Sequence, residues 1–171
     1  MLRTTKEKWR MNTIELHQRL SGDPMICPYF MCALDQLPRK VTHRPKLYII
    51  NSQPGHKPGK HWLTLYFPKL GPAEFFDSLG RGPRYYSWRL ERYLKKQGGY
   101  YIRNKRRYQQ VGTTTCGQFC YYYAHYRCMG RPMKDILNDF DPCRLNINET
   151  LVTNFDKEEN LLDDMEHLSL D

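Results

Sequence analysis

The sequence predicts a single α+β domain whose mostly antiparallel mixed sheet is flanked by helices. Two patterns predict this class. Short runs rich in β-forming residues recur between turn residues in the first half of the chain, and stretches with helical spacing of apolar residues surround and follow them. The hydrophobic content of 40% across 171 residues is sufficient for one packed core.

Four short runs of β-forming residues predict the strands of the sheet. Gly71-Pro72 separates the second run from the third, so these two are expected to form a hairpin or adjacent antiparallel strands. The predicted strands are residues 46–51, 61–67, 73–77 and 100–110.

The helices are predicted from apolar spacing and from capping and stop signals. An aromatic-rich stretch predicts a central buried helix from Cys116 to Tyr126, with a Thr available as N-cap. Residues 25–38 are apolar and predict a buried turn or a short helix. The other predicted helices are residues 14–20 with Thr13 as cap, 86–97, 133–140 and a segment near 161–168.

The charge of the chain is uneven. Residues 1–144 carry 26 Lys and Arg against 10 Asp and Glu, whereas residues 145–171 carry one against eight, which together give the net +9. A basic body attracts polyanions, nucleic acid first. We therefore predict one domain over residues 1–144 that binds DNA or RNA weakly and without sequence preference, followed by an acidic C-terminal tail.

The densest basic run lies among tyrosines, a combination that suits phosphate contact with base stacking. A solvated strand or loop face is the alternative explanation. The candidate nucleic-acid-binding residues are Arg103, Lys105, Arg106 and Arg107.

Six cysteines without a Cys-x-x-Cys pair argue against a zinc ribbon and for reduced thiols. We predict no metal site and no required cofactor. No apolar run reaches the length of a membrane span, and residues 1–11 are basic with no apolar segment behind them, so neither a membrane partner nor a secretory signal is expected. The sequence thus predicts an intracellular protein.

Cys116 is the candidate nucleophile. Gly112 and three Thr residues before it favour a turn, so the cysteine falls at or just inside the first turn of the central helix. Unpaired backbone N–H groups and the positive end of the helix dipole favour a thiolate at such a position. The alternative is a small buried apolar residue without chemistry.

A thiolate nucleophile requires a base, and His61 is the best placed of the six histidines. It starts a predicted strand after a Gly- and Pro-rich loop, where functional residues often gather. Asp77 ends the next predicted strand, so antiparallel pairing would bring its carboxylate beside the imidazole. His125 lies more than two turns along the same helix as Cys116 and cannot reach the sulfur. A hydrogen-bonded surface residue is the alternative for His61.

Taken in order, these residues resemble the adenovirus-protease (adenain) family, which shares a clan of cysteine peptidases with the Ulp1-type SUMO proteases. The similarity covers roughly residues 23–136 and includes the helix behind the cysteine. Its motifs are Pro28-Tyr29-Phe30, His61-Trp62, Phe75-Phe76-Asp77-Ser78-Leu79-Gly80, Gln110, and Cys116-Gly117 with Phe119-Cys120.

The resemblance implies that Cys116 is the nucleophile, that His61 is general base and then acid, and that Asp77 orients the imidazole. It also places the side-chain amide of Gln110 in the oxyanion hole with the backbone N–H of Cys116. Gln109 is the alternative if the loop differs by one residue.

The resemblance further implies that Trp62 is a wall of the substrate channel, although a core position is the alternative and both can hold. Adenains commonly carry Glu at the position of Asp77. The aspartate of this sequence is therefore more similar to the Ulp1-type proteases at this position. Residues 98–109 contain no cysteine, so the disulfide-linked activating peptide of the mastadenovirus enzymes has no evident attachment site. DNA stays open as an activator.

The resemblance implies a cysteine endopeptidase that cleaves at Gly-containing sites. Its substrates would be capsid and core precursors of an adenovirus-like or Polinton-type element, in the host nucleus or the virion. The first alternative is a SUMO- or ubiquitin-directed isopeptidase of Ulp1 type. The second is a basic nucleic-acid-binding protein whose cysteine is inert.

Overall fold

The structure is a computed structural model that describes residues 11–57 and 60–168, with side chains described through Leu161. The expectation about a secretory signal concerns mainly residues 1–10, which lie outside this range. Among the described residues, no helix is both long enough and apolar enough to span a membrane.

Five strands form one mixed sheet, and the predicted α+β class is confirmed. They are β1 Tyr29–Ala33, β2 Lys46–Asn51, β3 Trp62–Phe67, β4 Ala73–Phe76 and β5 Tyr101–Arg103. The strand order follows the chain from β1 to β5. The two central pairings are antiparallel, whereas β1 with β2 and β4 with β5 are parallel. The sheet is therefore antiparallel only at its centre.

Six α-helices and one short 3₁₀ helix, Leu34–Gln36, accompany the sheet within the described residues. The first helix is capped by Asn12 rather than by the expected Thr13, and Asn12 forms a capping box with Glu15. The helices are α1 Thr13–Gly22, α2 Pro83–Tyr86, α3 Trp88–Gly98, α4 Cys116–Cys128, α5 Met133–Leu137 and α6 Leu145–Leu168.

Two predicted segments differ from the structure. Residues 25–38, expected as a turn or short helix, contain the edge strand β1, whose side chains are mostly half-buried and therefore carry no clear alternation of burial. The strand expected over 100–110 is limited to β5, because Asn104 turns inward and bonds to the chain after β4 instead of continuing the ladder.

Alternate residues of the central strand β3 face the two sides of the sheet. Trp62 and Tyr66 pack in the core beneath α4, while Leu63, Leu65 and Phe67 pack against α3 on the other side. Burial on both faces explains why β3 reads as an almost continuous apolar run.

The helix α4 is anchored to the sheet by a buried polar cluster. Glu74 on β4 accepts hydrogen bonds from the hydroxyl of Tyr123 at 2.6 Å and from Nε of Arg127 at 2.9 Å. Because this carboxylate is buried and fully paired, it fixes α4 over the sheet.

Residues 145–171 do not form a separate tail within the described part. The helix α6 starts at Leu145, and Val152 and Phe155 are buried against α4, where Phe155 contacts the rings of Tyr121 and Tyr122. The boundary placed at residue 144 is corrected, because the apolar face of α6 completes the core.

Candidate active site

His61 and Asp77 meet at one end of the central strands. His61 precedes β3 and Asp77 follows β4, and antiparallel pairing brings these positions to the same edge of the sheet. Nε2 of His61 lies 2.7 Å from Oδ1 of Asp77, and both side chains are buried. The contact expected from the sequence is present.

The carboxylate of Asp77 is held by three further donors. The backbone N–H of Leu79 donates to Oδ1 at 2.9 Å, the backbone N–H of Arg81 donates to Oδ2 at 3.0 Å, and the hydroxyl of Tyr86 donates to Oδ2 at 2.7 Å. The Tyr86 ring also stacks on His61, with centroids 6.1 Å apart and planes 19° from parallel. A carboxylate held in this way keeps the imidazole in one orientation.

Cys116 is the first residue of α4, and it lines the same cleft as His61, close enough to raise the pKa of the imidazole. Because Nε2 is bonded to Asp77, Nδ1 is the ring nitrogen left available to the thiol. Burial lowers the pKa of His61, but the hydrogen bonds with Asp77 and Cys116 outweigh it and raise the pKa from 6.5 to about 9. The raised pKa favours the protonated ring, which can donate a proton beside the sulfur.

Gln109, and not Gln110, lies at the site. The Gln109 side chain is buried and lines the same cleft as Cys116. The hydroxyl of Ser78 donates to its Oε1 at 2.6 Å, and its amide nitrogen donates to the carbonyl and the hydroxyl of Thr113 at 3.2 Å and 3.1 Å. Gln110 is exposed and does not line the cleft. The expected oxyanion-hole position is thus corrected to Gln109, while the role itself stays a prediction.

Sequence reasoning missed Asn104 and Tyr86, two residues that support the site. Asn104 is buried and holds the backbone of Asp77 from both sides, accepting from its N–H at 3.0 Å and donating to its carbonyl at 2.6 Å. The backbone after Asp77 also contacts the glutamine of the site directly, because the carbonyl of Ser78 accepts the backbone N–H of Gln109 at 3.0 Å. The only sequence signal for Asn104 is an uncharged amide within a cationic run, and Tyr86 carries no signal beyond its aromatic ring.

A carboxylate from α6 holds the loop that leads to Cys116. Glu149 accepts the backbone N–H of Gln110 at 2.9 Å and the hydroxyl of Thr113 at 2.8 Å, and it also accepts the hydroxyl of Thr115. The helix α6 therefore positions the loop before Cys116 directly. The prediction of a separate acidic tail did not include this contact.

His61 and Cys116 open into a cleft of about 490 Å³. Tyr85 and Val111 form part of its walls, and Lys60 and Arg81 bring positive charge. None of the described residues that line the cleft is acidic.

Trp62 does not line this cleft. It is buried in the core cluster on the α4 side of the sheet, 9% exposed. The channel-wall role is therefore corrected in favour of the core position that the sequence left open.

The candidate nucleic-acid-binding residues separate into two groups. Lys105, Arg106 and Arg107 are exposed on the loop after β5. Arg103 is half-buried, and its guanidinium donates to the carbonyls of Gly80 at 3.4 Å and Asn104 at 3.0 Å. Only the first three offer free charge to a polyanion.

No protein-family model matches the sequence, and no curated protein matches it significantly. Solved structures do match. The chain is similar to an ASFV protease, with 17% identity and a TM-score of 0.46 over 73% of this chain and 58% of that chain. It is also similar to the SUMO protease Ulp1, with 18% identity and a TM-score of 0.36 over 64% and 52% of the two chains.

A third similar structure is the central domain of an uncharacterized Legionella pneumophila protein, with 16% identity, a TM-score of 0.40 and 89% and 97% coverage. The chain spans less than three fifths of the ASFV and Ulp1 protease chains. The two named enzymes among these structures are proteases, and Ulp1 has a catalytic cysteine.

Proposed function

We propose that this protein is a cysteine peptidase with Cys116, His61 and Asp77 as its catalytic residues. One observation carries the proposal: the imidazole of His61, bonded to the buried carboxylate of Asp77, shares an open cleft with the thiol of Cys116, which raises the pKa of the ring. A nucleophile, a proton carrier and an orienting group in contact are the elements that thiol-dependent acyl transfer requires.

The reaction proceeds in two halves. The Cys116 sulfur attacks the carbonyl carbon of the scissile bond, and the His61 imidazolium gives its proton to the leaving amine, so a thioester remains on the enzyme. The neutral imidazole then takes a proton from water, which attacks the thioester and regenerates the thiol. The backbone N–H of Cys116 donates to the oxyanion together with the amide of Gln109, which exchanges a hydrogen bond with Thr113 for one with the substrate. Loss of one such donor costs about 2.7–4 kcal/mol of transition-state stabilisation.

The test is hydrolysis of a fluorogenic peptide with a central Gly-Gly sequence. We expect turnover by the wild type and by Cys143→Ser, which removes an exposed thiol, but not by Cys116→Ser. Equal product from all three proteins would overturn the proposal. The absence of turnover in all three, together with salt-sensitive DNA binding, would favour a nucleic-acid-binding protein instead.

The proposal extends to cleavage beside glycine. This preference comes from the resemblance to the adenain family, and the bulky side chains of Tyr85, Tyr86 and Val111 that line the cleft support a small residue next to the scissile bond. Replacing Gly by Leu before the scissile bond is expected to lower kcat/KM at least about 100-fold. Much faster turnover of SUMO or ubiquitin C-terminal probes than of the peptide would identify an isopeptidase of Ulp1 type.

DNA is proposed as a non-specific partner that stimulates the peptidase. The exposed cations of Lys105, Arg106 and Arg107 support it, since their loop is tied to the site through Asn104. Changing all three to Gln is expected to reduce the slope of log affinity against log salt by about 2–3. An unchanged slope, or a peptidase rate that DNA does not alter, would contradict this part.

We propose virion maturation as the biological setting, with capsid and core precursors as substrates and the host nucleus or virion as location. The order of motifs shared with the adenain family supports it. Cleavage of such precursors in infected cells, lost in Cys116→Ser, is the expected result.

A further inference from the structure

Two thiols far from the cleft lie almost within bonding distance of each other. Sγ of Cys27 and Sγ of Cys128 are 2.8 Å apart and share a hydrogen bond. A disulfide bond is about 2.0 Å long, so the sulfurs need to approach by only about 0.8 Å. Both side chains are partly exposed, so a small oxidant can reach them.

The two backbones are already fixed near each other by a separate contact. Cys27 lies between α1 and β1, and Cys128 is the last residue of α4. One turn before Cys128, Nδ1 of His125 lies 2.6 Å from Oδ2 of Asp23, in a buried pair that joins the same two segments. The thiols therefore meet because the fold holds them together.

The electrostatics of the pair favour one thiol as the attacking group. The pKa of Cys128 is lowered, chiefly by the hydrogen bond with Cys27, and the same hydrogen bond raises the pKa of Cys27. Cys128 is thus the thiol that ionises first, and a thiolate is the reactive species in thiol–disulfide exchange.

We infer that Cys27 and Cys128 form a reversible intramolecular disulfide in the presence of a low-molecular-weight disulfide such as glutathione disulfide. The Cys128 thiolate attacks one glutathione sulfur, forms a mixed disulfide and releases one glutathione thiolate, which takes up a proton. The Cys27 thiol loses its proton and attacks the Cys128 sulfur, which releases the second glutathione. Two protein thiols are oxidised and one glutathione disulfide is reduced to two glutathione molecules.

The consequence is a covalent clamp around the candidate active site. The closed segment from Cys27 to Cys128 contains His61, Asp77 and Cys116. Because a disulfide that closes a long loop restricts the unfolded chain, oxidation is expected to raise the melting temperature by roughly 5–15 °C. The inference does not rest on the proposed function.

The test uses the reduced full-length Cys116→Ser protein, so that the candidate nucleophile does not react. The protein is incubated with glutathione disulfide while folded, alkylated with iodoacetamide, unfolded and digested without reduction. Mass spectrometry is expected to find the Cys27 peptide joined to the Cys128 peptide with the loss of two hydrogens. The alkylating reagent stays present while the protein is unfolded, so every thiol outside the disulfide is modified. Cys32 is therefore expected in alkylated form.

A matched control separates this pair from general oxidation. Cys32→Ser removes a neighbouring half-buried thiol and is expected to keep both the cross-link and the rise in melting temperature, whereas Cys128→Ser is expected to lose both. Alkylation of both Cys27 and Cys128, or separate glutathione adducts on each, would overturn the inference. So would tightly bound zinc that protects the two thiols with the neighbouring Asp23, His125 and Glu159.

Discussion

At the scale of single residues, the candidate active site depends on one carboxylate. Asp77 is fully buried and accepts four hydrogen bonds, of which the one from His61 faces the cleft. The other three come from Tyr86 and from the backbone immediately after Asp77. The carboxylate is therefore fixed before any substrate binds.

Replacing this carboxylate by an amide tests its role. Asp77→Asn keeps the shape but favours the wrong tautomer of His61 and removes the charge that stabilises the imidazolium, so kcat is expected to fall by about 10³–10⁴. Tyr86→Phe, which removes one donor to Oδ2 but leaves the contact with His61, is the matched control and should cost about tenfold or less. Equal losses in the two variants would contradict the assignment.

The raised pKa of His61 predicts how stability depends on pH. The pKa of His61 is about 9 in the folded protein against 6.5 for the free side chain. Between pH 6.5 and about 9, the folded protein therefore keeps a proton on His61 that the unfolded chain has lost. This proton contributes up to about 3 kcal/mol to the free energy of unfolding. The contribution is fully present below pH 6.5 and is lost as the pH rises through about 9. Urea unfolding at several pH values measures it. The decline between these pH values should be smaller in His61→Gln, and identical curves would contradict the prediction.

The glutamine of the site shows where sequence reasoning ends at this scale. His61, Asp77 and Cys116 could be found because strand ends and a helix start fix their places. Gln109 and Gln110 occupy a loop whose register is set by hydrogen bonds to Ser78 and to Glu149, both distant in sequence. No local pattern contains that information.

At the scale of elements, the turn after β4 connects the two halves of the site. Gly80 has a φ of +72°, and its N–H bonds to the carbonyl of Asp77 at 2.8 Å. A Cβ at this position would lie 2.6 Å from the carbonyl carbon of Arg106 and 2.7 Å from its oxygen. Only glycine allows the loop after β5 to approach, and that loop leads to Gln109.

Gly80→Ala tests this close approach. Gly99 has a similar φ of +76°, but a Cβ there would meet no atom within 4 Å, so Gly99→Ala is the matched control. The control is expected to cost about 1–2 kcal/mol for the left-handed backbone alone. Gly80→Ala should cost about 1–3 kcal/mol more and should also lower the peptidase rate. Equal melting temperatures and rates in the two variants would show that the contact is unimportant.

The elements differ in how well the sequence predicts them. The strands β2, β3 and β4 and the helix α4 were predicted closely, because burial on one or both faces leaves long apolar runs. The edge strand β1 lacks such a pattern. The residues Ile147, Leu151, Val152 and Phe155 of α6 have the apolar spacing of a buried helix face. The acidic composition of the segment favoured a solvated tail instead, so this spacing was not used for the prediction.

At the scale of the whole molecule, the acidic end of the chain belongs to the basic body. Arg19 on α1 pairs with Asp156 on α6 at 2.6 Å, and Asn148 donates to the carbonyl of Tyr108 at 3.1 Å. These contacts connect α6 to α1 and to the segment between β5 and α4. The opposite charges of the two regions are therefore adjacent in the fold.

Truncation tests whether α6 completes the domain. A variant that ends at Arg144 removes the buried side chains of Val152 and Phe155 and the carboxylate of Glu149, and we expect it to lose cooperative thermal unfolding. A variant that ends at Leu161 keeps these contacts and should melt within a few degrees of the full chain. Cooperative unfolding and full activity after truncation at Arg144 would restore the two-part division.

The most direct measurement of the central claim is the rate at which iodoacetamide alkylates each of the six cysteines in the reduced, folded protein at pH 7. Peptide mapping should show Cys116 alkylated well ahead of the exposed Cys143, because His61 and the start of α4 activate its sulfur. That advantage should disappear in His61→Gln. Alkylation of Cys116 no faster than Cys143, and unchanged by His61→Gln, would contradict the account.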